Sequence, residues 1–161
     1  MMAPVDAALQ TVASLDLIPT PCKRGCDINR SFQMIQGSCE CGGVRFSFTE
    51  AREAVTVCHC SQCRKTSGHL WAATRCDLDD LTFQSDESLT WYASSDFAKR
   101  GFCSVCGSSL FYRMNDEDGM AIAAGCLDTV PAEFHIGKHI FAKDKGAYYD
   151  INDEVEVLQT Y

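Results

Sequence analysis

At 161 residues the chain is long enough for one domain with a real core, and its formal net charge of −8 argues against nucleic acid or an anionic membrane surface as a partner. Residues 1–20 have no basic start and no sustained apolar run, because Pro4, Asp6, Gln10 and Asp16 interrupt them; neither a signal peptide nor a membrane span is expected, and the expected location is the cytoplasm. The eleven cysteines are odd in number, and seven fall in tight C-x-C or C-x-x-C groups, a spacing that suits metal ligation better than a disulfide framework.

In chain order, residues 4–18 carry Val5, Ala8, Leu9, Val12 and Leu15 as an apolar set, with Pro4 near the start; they predict a short helix. Residues 19–31 hold Pro19, Pro21, Gly25 and Asn29 and read as a linker. Cys22 and Cys26 lie there one helical turn apart, either as free thiols in an arm or as a further metal or redox pair. The division that follows is an N-terminal extension over 1–35 and a zinc-binding β domain over 36–161.

From Phe32 onward Val44, Phe46 and Phe48 alternate with Arg45 and Ser47. Runs at 53–57, 70–75, 81–84, 89–92, 99–102, 109–113, 120–124 and 134–141 can each supply a strand between turn-formers. No segment past residue 35 keeps a helical period over three turns. The expected fold is therefore mostly β, with small antiparallel sheets packed face to face. The acidic end (Asp150, Asp153, Glu154, Glu156) is interleaved with Ile151, Val155 and Val157 and reads as a solvated edge segment. Trp71, Trp91, Phe102 and Phe111 are expected in the core.

Cys39-Glu40-Cys41-Gly42-Gly43 and Cys103-Ser104-Val105-Cys106-Gly107 each have the form of a metal knuckle. Two thiolates point at one ion while the glycines allow a tight turn with positive φ. Together the pairs make a closed four-cysteine site that cross-links the two ends of the sheet region; the alternative is two independent redox pairs. Between them lies Val57-Cys58-His59-Cys60-Ser61-Gln62-Cys63-Arg64, three thiols with no obvious fourth ligand in their own stretch. Three thiolates hold a tetrahedral zinc by three corners and leave one open, the arrangement of catalytic sites; Cys76 or His69 can instead close the sphere from elsewhere. His59 projects away from the direction shared by Cys58 and Cys60 if the segment is extended, which favours a hydrogen-bonding or structural role over ligation; as candidate catalytic residues His59 and Arg64 stand beside Cys58, Cys60 and Cys63. Arg64, Lys99 and Arg100 put positive charge beside the thiol groups, either to offset thiolate charge or to receive the carboxylates of an acidic thiol substrate.

These residues resemble the glutathione-dependent formaldehyde-activating enzyme family. The similarity runs from about Gly37 to Asp153: Gly37-Ser38-Cys39-x-Cys41-Gly42-x-Val44, Cys58-His59-Cys60-x-x-Cys63-Arg64-x-x-x-Gly68, Phe102-Cys103-x-x-Cys106-Gly107-x-x-Leu110, Gly125-x-Leu127-Asp128, Pro131, His139-Ile140-Phe141 and Lys145-Gly146-x-Tyr148-Tyr149-Asp150-Ile151-x-Asp153. The resemblance implies a β-tent or sandwich with two zinc ions per chain, a structural one on Cys39, Cys41, Cys103 and Cys106 and a second on Cys58, Cys60 and Cys63. It implies a carbon–sulfur lyase-type reaction joining glutathione and formaldehyde as S-hydroxymethylglutathione. Beside it stand two alternatives: turnover of another aldehyde or thiol adduct, and a zinc-stabilised protein-binding module without turnover. The family extends to centromere protein V, whose implied chromatin or microtubule partners are acidic and suit this acidic chain poorly. Cys126 stands where a small hydroxyl residue is commoner in the family's Gly-x-Leu-Asp motif, and Cys76 is also extra; both read as buried small hydrophobes.

Overall fold

Alternating apolar residues bring Ile35, Phe46 and Phe48 to one face of a hairpin, and that face is the lid of the core. The computed structural model describes residues 34–49, 51 and 54–161. The helix expected over 4–18, the linker, Cys22 and Cys26 lie outside the described residues. The described residues fall within one unit, Phe32–Tyr161.

The hairpin is β1 (Ile35–Ser38) and β2 (Arg45–Phe48), antiparallel with Ile35 opposite Phe48 and Ser38 opposite Arg45. Next come β3 (Val55–Cys58), the short helix α1 (Ser61–Ser67) and β4 (Trp71–Asp77). Then β5 (Thr82–Ser85), β6 (Leu89–Ser95), β7 (Ala98–Cys103), β8 (Ser109–Met114) and β9 (Gly119–Ala123) follow with tight connections. The chain ends with β10 (Ile136–Ile140) and β11 (Glu156–Val157). The expectation of a mostly β fold stands, and each of the eight runs marked in the sequence overlaps a strand.

Strands β1, β2 and β5 form a three-stranded sheet in the order β1-β2-β5; the other eight form a second sheet in the order β11-β10-β3-β4-β9-β8-β7-β6. The pairs β6·β7, β7·β8, β8·β9, β9·β4 and β4·β3 are antiparallel. The far edge differs: β10 runs parallel to β3, with His139 opposite Val57 and Ile140 opposite Cys58, and β11 runs parallel to β10. Antiparallel neighbours can be joined by tight turns, whereas a parallel pair needs a long crossover, so this edge leaves no local signature in the sequence.

The two sheets enclose a core of Ile35, Val44, Phe46, Phe48, Cys76, Leu110, Phe111, Met120 and Ile122. Phe111 is its hub, with Phe46 at 5.0 Å and Phe83 at 5.6 Å edge-on and Trp91 stacked at 5.9 Å. Full burial of such a side chain contributes about 1.5–3 kcal/mol. Strand alternation then divides β4 and β9 between two environments. Thr74, Cys76, Met120 and Ile122 are buried on one face, while Trp71, Ala73, Ala121 and Ala123 face a smaller cluster that contains Cys58, Cys63 and Ile140. The larger sheet thus separates the main core from the central thiols and supports them rigidly.

Candidate metal centres

Each knuckle forms at a strand end for a local reason. Cys39 follows β1, its N–H donates to Val44 O at 3.0 Å, and Gly42, at φ 73°, closes the turn by donating to Cys39 O at 2.9 Å. Cys103 ends β7; Gly107, at φ 79°, donates to Cys103 O at 2.8 Å. Both glycines sit in the left-handed region that a Cβ disfavours. The sulfur atoms of Cys39, Cys41, Cys103 and Cys106 all lie within 4.8 Å of one another, with Cys39 to Cys41 at 3.5 Å and Cys41 to Cys103 at 3.7 Å. A zinc tetrahedron with Zn–S bonds of about 2.3 Å has edges of about 3.8 Å, so the cluster fits such an ion. Val44 N–H donates to Cys39 Sγ at 3.2 Å, and Ser108 Oγ lies 3.2 Å from Cys106 Sγ. Hydrogen bonds from the Ser108 hydroxyl and then from its backbone hold the Cys106 thiol down to about 5, the ionisation a ligand needs.

The central cluster joins the end of β3 to the start of α1. Cys58 is the last residue of β3; Cys60 caps α1, its Sγ accepting from Cys63 N–H at 3.3 Å; Gly68, at φ 86°, closes the helix by donating to Arg64 O at 2.9 Å. The sulfur atoms of Cys58, Cys60 and Cys63 lie within 4.8 Å of one another, a geometry that also fits a metal ion. Among the described residues no fourth Cys, His, Asp or Glu joins the group. Cys76 is fully buried in the main core, and His69 Nδ1 lies 2.8 Å from the Tyr148 hydroxyl. Cys58 and Cys63 act as one pair: the hydrogen bond from Cys58 and then the charge of Arg100 lower Cys63 to about 6 against the upward push of burial, while the same hydrogen bond pushes Cys58 up.

Arg100, on β7, is 5% exposed; its Nη2 donates to Cys63 Sγ at 3.3 Å and to Gln62 Oε1 at 3.1 Å. The guanidinium carbon lies 4.9 Å from the centre of the Tyr112 ring and 5.6 Å from that of Trp71. Lys99, next along β7, holds its ammonium 4.9 Å from the Trp91 ring centre, so these neighbours serve different surroundings. Arg64 is half-buried on α1, and its Nε meets no partner among the described residues.

His59, between two ligand candidates, is fully buried and uses both ring nitrogens elsewhere. Nδ1 lies 2.6 Å from the Tyr149 hydroxyl, and Nε2 lies 2.7 Å from His139 Nδ1. His139 Nε2 lies 2.9 Å from Asp153 Oδ2. Burial, and then the neighbouring His139, hold His59 below its usual range and keep it neutral. Tyr149, His139 and Asp153 belong to this site, and sequence reasoning assigned none of them a role. The available signal was their place in the C-terminal motifs; what joins them to His59 is the parallel pairing of β10 with β3.

Fold and site together define a two-sheet protein with one four-thiol knuckle pair and one three-thiol centre, each able to hold a metal ion. The chain belongs to the family described as glutathione-dependent formaldehyde-activating enzyme, whose model matches residues 34–144. Among curated relatives, an uncharacterized lyase of Schizosaccharomyces pombe is 30% identical over 77 residues, 48% of this chain and 56% of that protein. A Halomonas elongata protein, named provisionally as a glutathione-dependent formaldehyde-activating enzyme, is 34% identical over 86 residues, 48% of this chain and 55% of that protein. The chain thus spans about half the length of the curated relatives it matches. The crystal structure of a Rhodobacter sphaeroides protein is similar at a TM-score of 0.51 and 27% identity, covering 60% of this chain and 91% of that one. Among the described residues no helix is long and apolar enough to cross a membrane.

Proposed function

We propose that this chain is a zinc-dependent carbon–sulfur lyase-type enzyme that joins glutathione to formaldehyde, giving S-hydroxymethylglutathione. The observation that carries the reading is the three-thiol centre of Cys58, Cys60 and Cys63, rigidly backed by the larger sheet and without a fourth described ligand. In this reading one zinc sits on Cys39, Cys41, Cys103 and Cys106 and ties the ends of the β domain (36–161) together, while residues 1–35 are an extension. The second zinc, on the central thiols, supplies a Lewis-acid centre that keeps a thiol ionised or polarises a carbonyl.

The chain's own residues do the remaining work. Arg100 offsets the charge of the thiolates through its contact with Cys63 and holds that sulfur in place. Arg64, half-buried on α1 directly after Cys63, is the more accessible of the two arginines, since Arg100 is 5% exposed and engaged with Cys63 and Gln62, and it is assigned the glutathione carboxylate. Lys99 is assigned no more than a peripheral contribution to that anion site. All nine described cysteines are free, which suits a reducing compartment, and we place the enzyme in the cytoplasm.

The test is exchange NMR of glutathione and formaldehyde with stoichiometric zinc-loaded protein. Acceleration over the spontaneous reaction is expected. No acceleration refutes the formaldehyde reaction and leaves the metal sites to be judged by metal content.

A further inference from the structure

The hydrogen-bonded row Tyr149–His59–His139–Asp153 runs from beside the central thiols to a carboxylate whose side chain is 43% exposed. Its direction follows from what each group can do. Asp153, as a carboxylate, only accepts, so His139 presents Nε2–H to it. With His139 neutral, Nδ1 accepts, so His59 presents Nε2–H. His59 Nδ1 then accepts, and the Tyr149 hydroxyl donates its hydrogen to it. Tyr149 is left with its oxygen lone pairs for the site.

The ring is held in place on several sides. His59 lies near-parallel to it at 5.6 Å, His69 stands edge-on at 4.7 Å, Tyr148 packs at 5.0 Å, and Lys145 Nζ donates to the Tyr149 carbonyl at 2.7 Å. Phe141, at φ 57°, turns the chain out of β10 toward this segment. Such a backbone conformation costs a residue with a Cβ on the order of 1 kcal/mol or more, so the surrounding structure enforces it.

We infer that Tyr149 takes and returns the proton when a thiol adds to a carbonyl at this centre, and that His59, His139 and Asp153 are the positioning chain that stores it. The inference rests on the thiol-addition reading above. As the thiol S–H bond breaks, its proton goes to the Tyr149 oxygen. The Tyr149 proton passes to His59 Nδ1, and the His59 Nε2 proton passes to His139 Nδ1. His139 becomes an imidazolium held by the Asp153 carboxylate. The sulfur electron pair forms the carbon–sulfur bond, and the resulting alkoxide recovers the proton by the same steps in reverse. No proton is gained or lost overall, in keeping with the addition of a thiol to an aldehyde. The order of parts resembles other oriented histidine–carboxylate pairs, in which the carboxylate fixes the tautomer and stabilises the imidazolium.

The experiment uses full-length, zinc-loaded protein with nitrogen-15-labelled histidine, compared with Tyr149→Phe and Asp153→Ala. In the free wild type, His59 and His139 should both carry the proton on Nε2. Saturation with glutathione alone should make His139 doubly protonated, and Tyr149→Phe should abolish that change at unaltered zinc content. Asp153→Ala should lose the fixed His139 tautomer; its exposed site protects against simple misfolding. In glutathione–formaldehyde exchange, Tyr149→Phe should lower kcat about 100-fold, the lower range for a removed general acid–base group, with little change in the KM for glutathione. The inference is overturned if His139 stays neutral on saturation with glutathione, if the free histidines carry the proton on Nδ1, or if Tyr149→Phe exchanges at the wild-type rate. If the wild type does not accelerate formaldehyde exchange yet His139 takes the glutathione proton through Tyr149, the substrate reading falls and the relay stands.

Discussion

Replacing Arg100 by methionine isolates the charge that balances the central thiols. Methionine keeps much of the apolar stem that packs beside Trp71 and Tyr112, and removes the guanidinium that donates to Cys63 Sγ at 3.3 Å. The cation–ring contacts exist with or without a bound metal and therefore cancel from a metal affinity. The hydrogen bond to the thiolate does not cancel, because it acts on the charge that the ligand presents. A hydrogen bond to a charged group contributes about 1.5–3 kcal/mol, which corresponds to roughly 10- to 150-fold in affinity. Removal of groups that support metal ligands elsewhere costs about 10- to 100-fold, in agreement. Zinc competition against a chromophoric chelator, with the two equivalents resolved, measures the effect. The weaker equivalent should shift by that amount, the tighter one should not move, and Lys99→Met should leave both unchanged. Wild-type affinity for the second equivalent in Arg100→Met refutes the assignment of Arg100 as the thiolate partner.

Cys58→Ser should lose about one zinc and stay folded, whereas Cys103→Ser should lose the ion that joins residues 39 and 103 and melt at a much lower temperature; metal analysis and circular dichroism decide, and equal unfolding of both makes the centre structural. Gly37→Ala should destabilise by about 2–3 kcal/mol in urea titration, because the added Cβ would run into the buried Phe46 ring and meet the Cys126 carbonyl oxygen at 2.6 Å, neither free to retreat. A wild-type midpoint would show that the hairpin shifts readily. Stability should fall as pH drops below about 6.5, since His59 is held below its usual range in the folded state and the unfolded chain binds the extra proton there. In the same window His59→Gln should have a slope shallower by up to about 1.4 kcal/mol per pH unit, and an unchanged slope assigns the acid loss to the thiols.

Period-two alternation marked β2, and short runs bounded by turn-formers marked every strand from β3 to β10, because short strands joined by tight turns leave that punctuation in the sequence. Strand β1, with Gly37 in its middle, lacks that signal, and its glycine is required by contact with Phe46 and Cys126, which only the folded chain brings near. The seven grouped thiols were legible for a similar reason: a knuckle's ligand spacing is set by a few residues of backbone, so its chemistry is written locally.

The sequence by itself therefore determined the class of fold, the two thiol groups and the family. Only the tertiary structure decided what surrounds the central thiols. It buries Arg100 against Cys63 and leaves Lys99 with Trp91, although the two are adjacent, because successive residues of β7 point to opposite faces. It also brings His139 and Tyr149 to His59 across 80 and 90 residues of chain, with Asp153 on His139, by setting β10 parallel to β3. Parallel pairing is made by a long crossover and carries no spacing rule, so nothing in the local pattern of these residues announces that they meet.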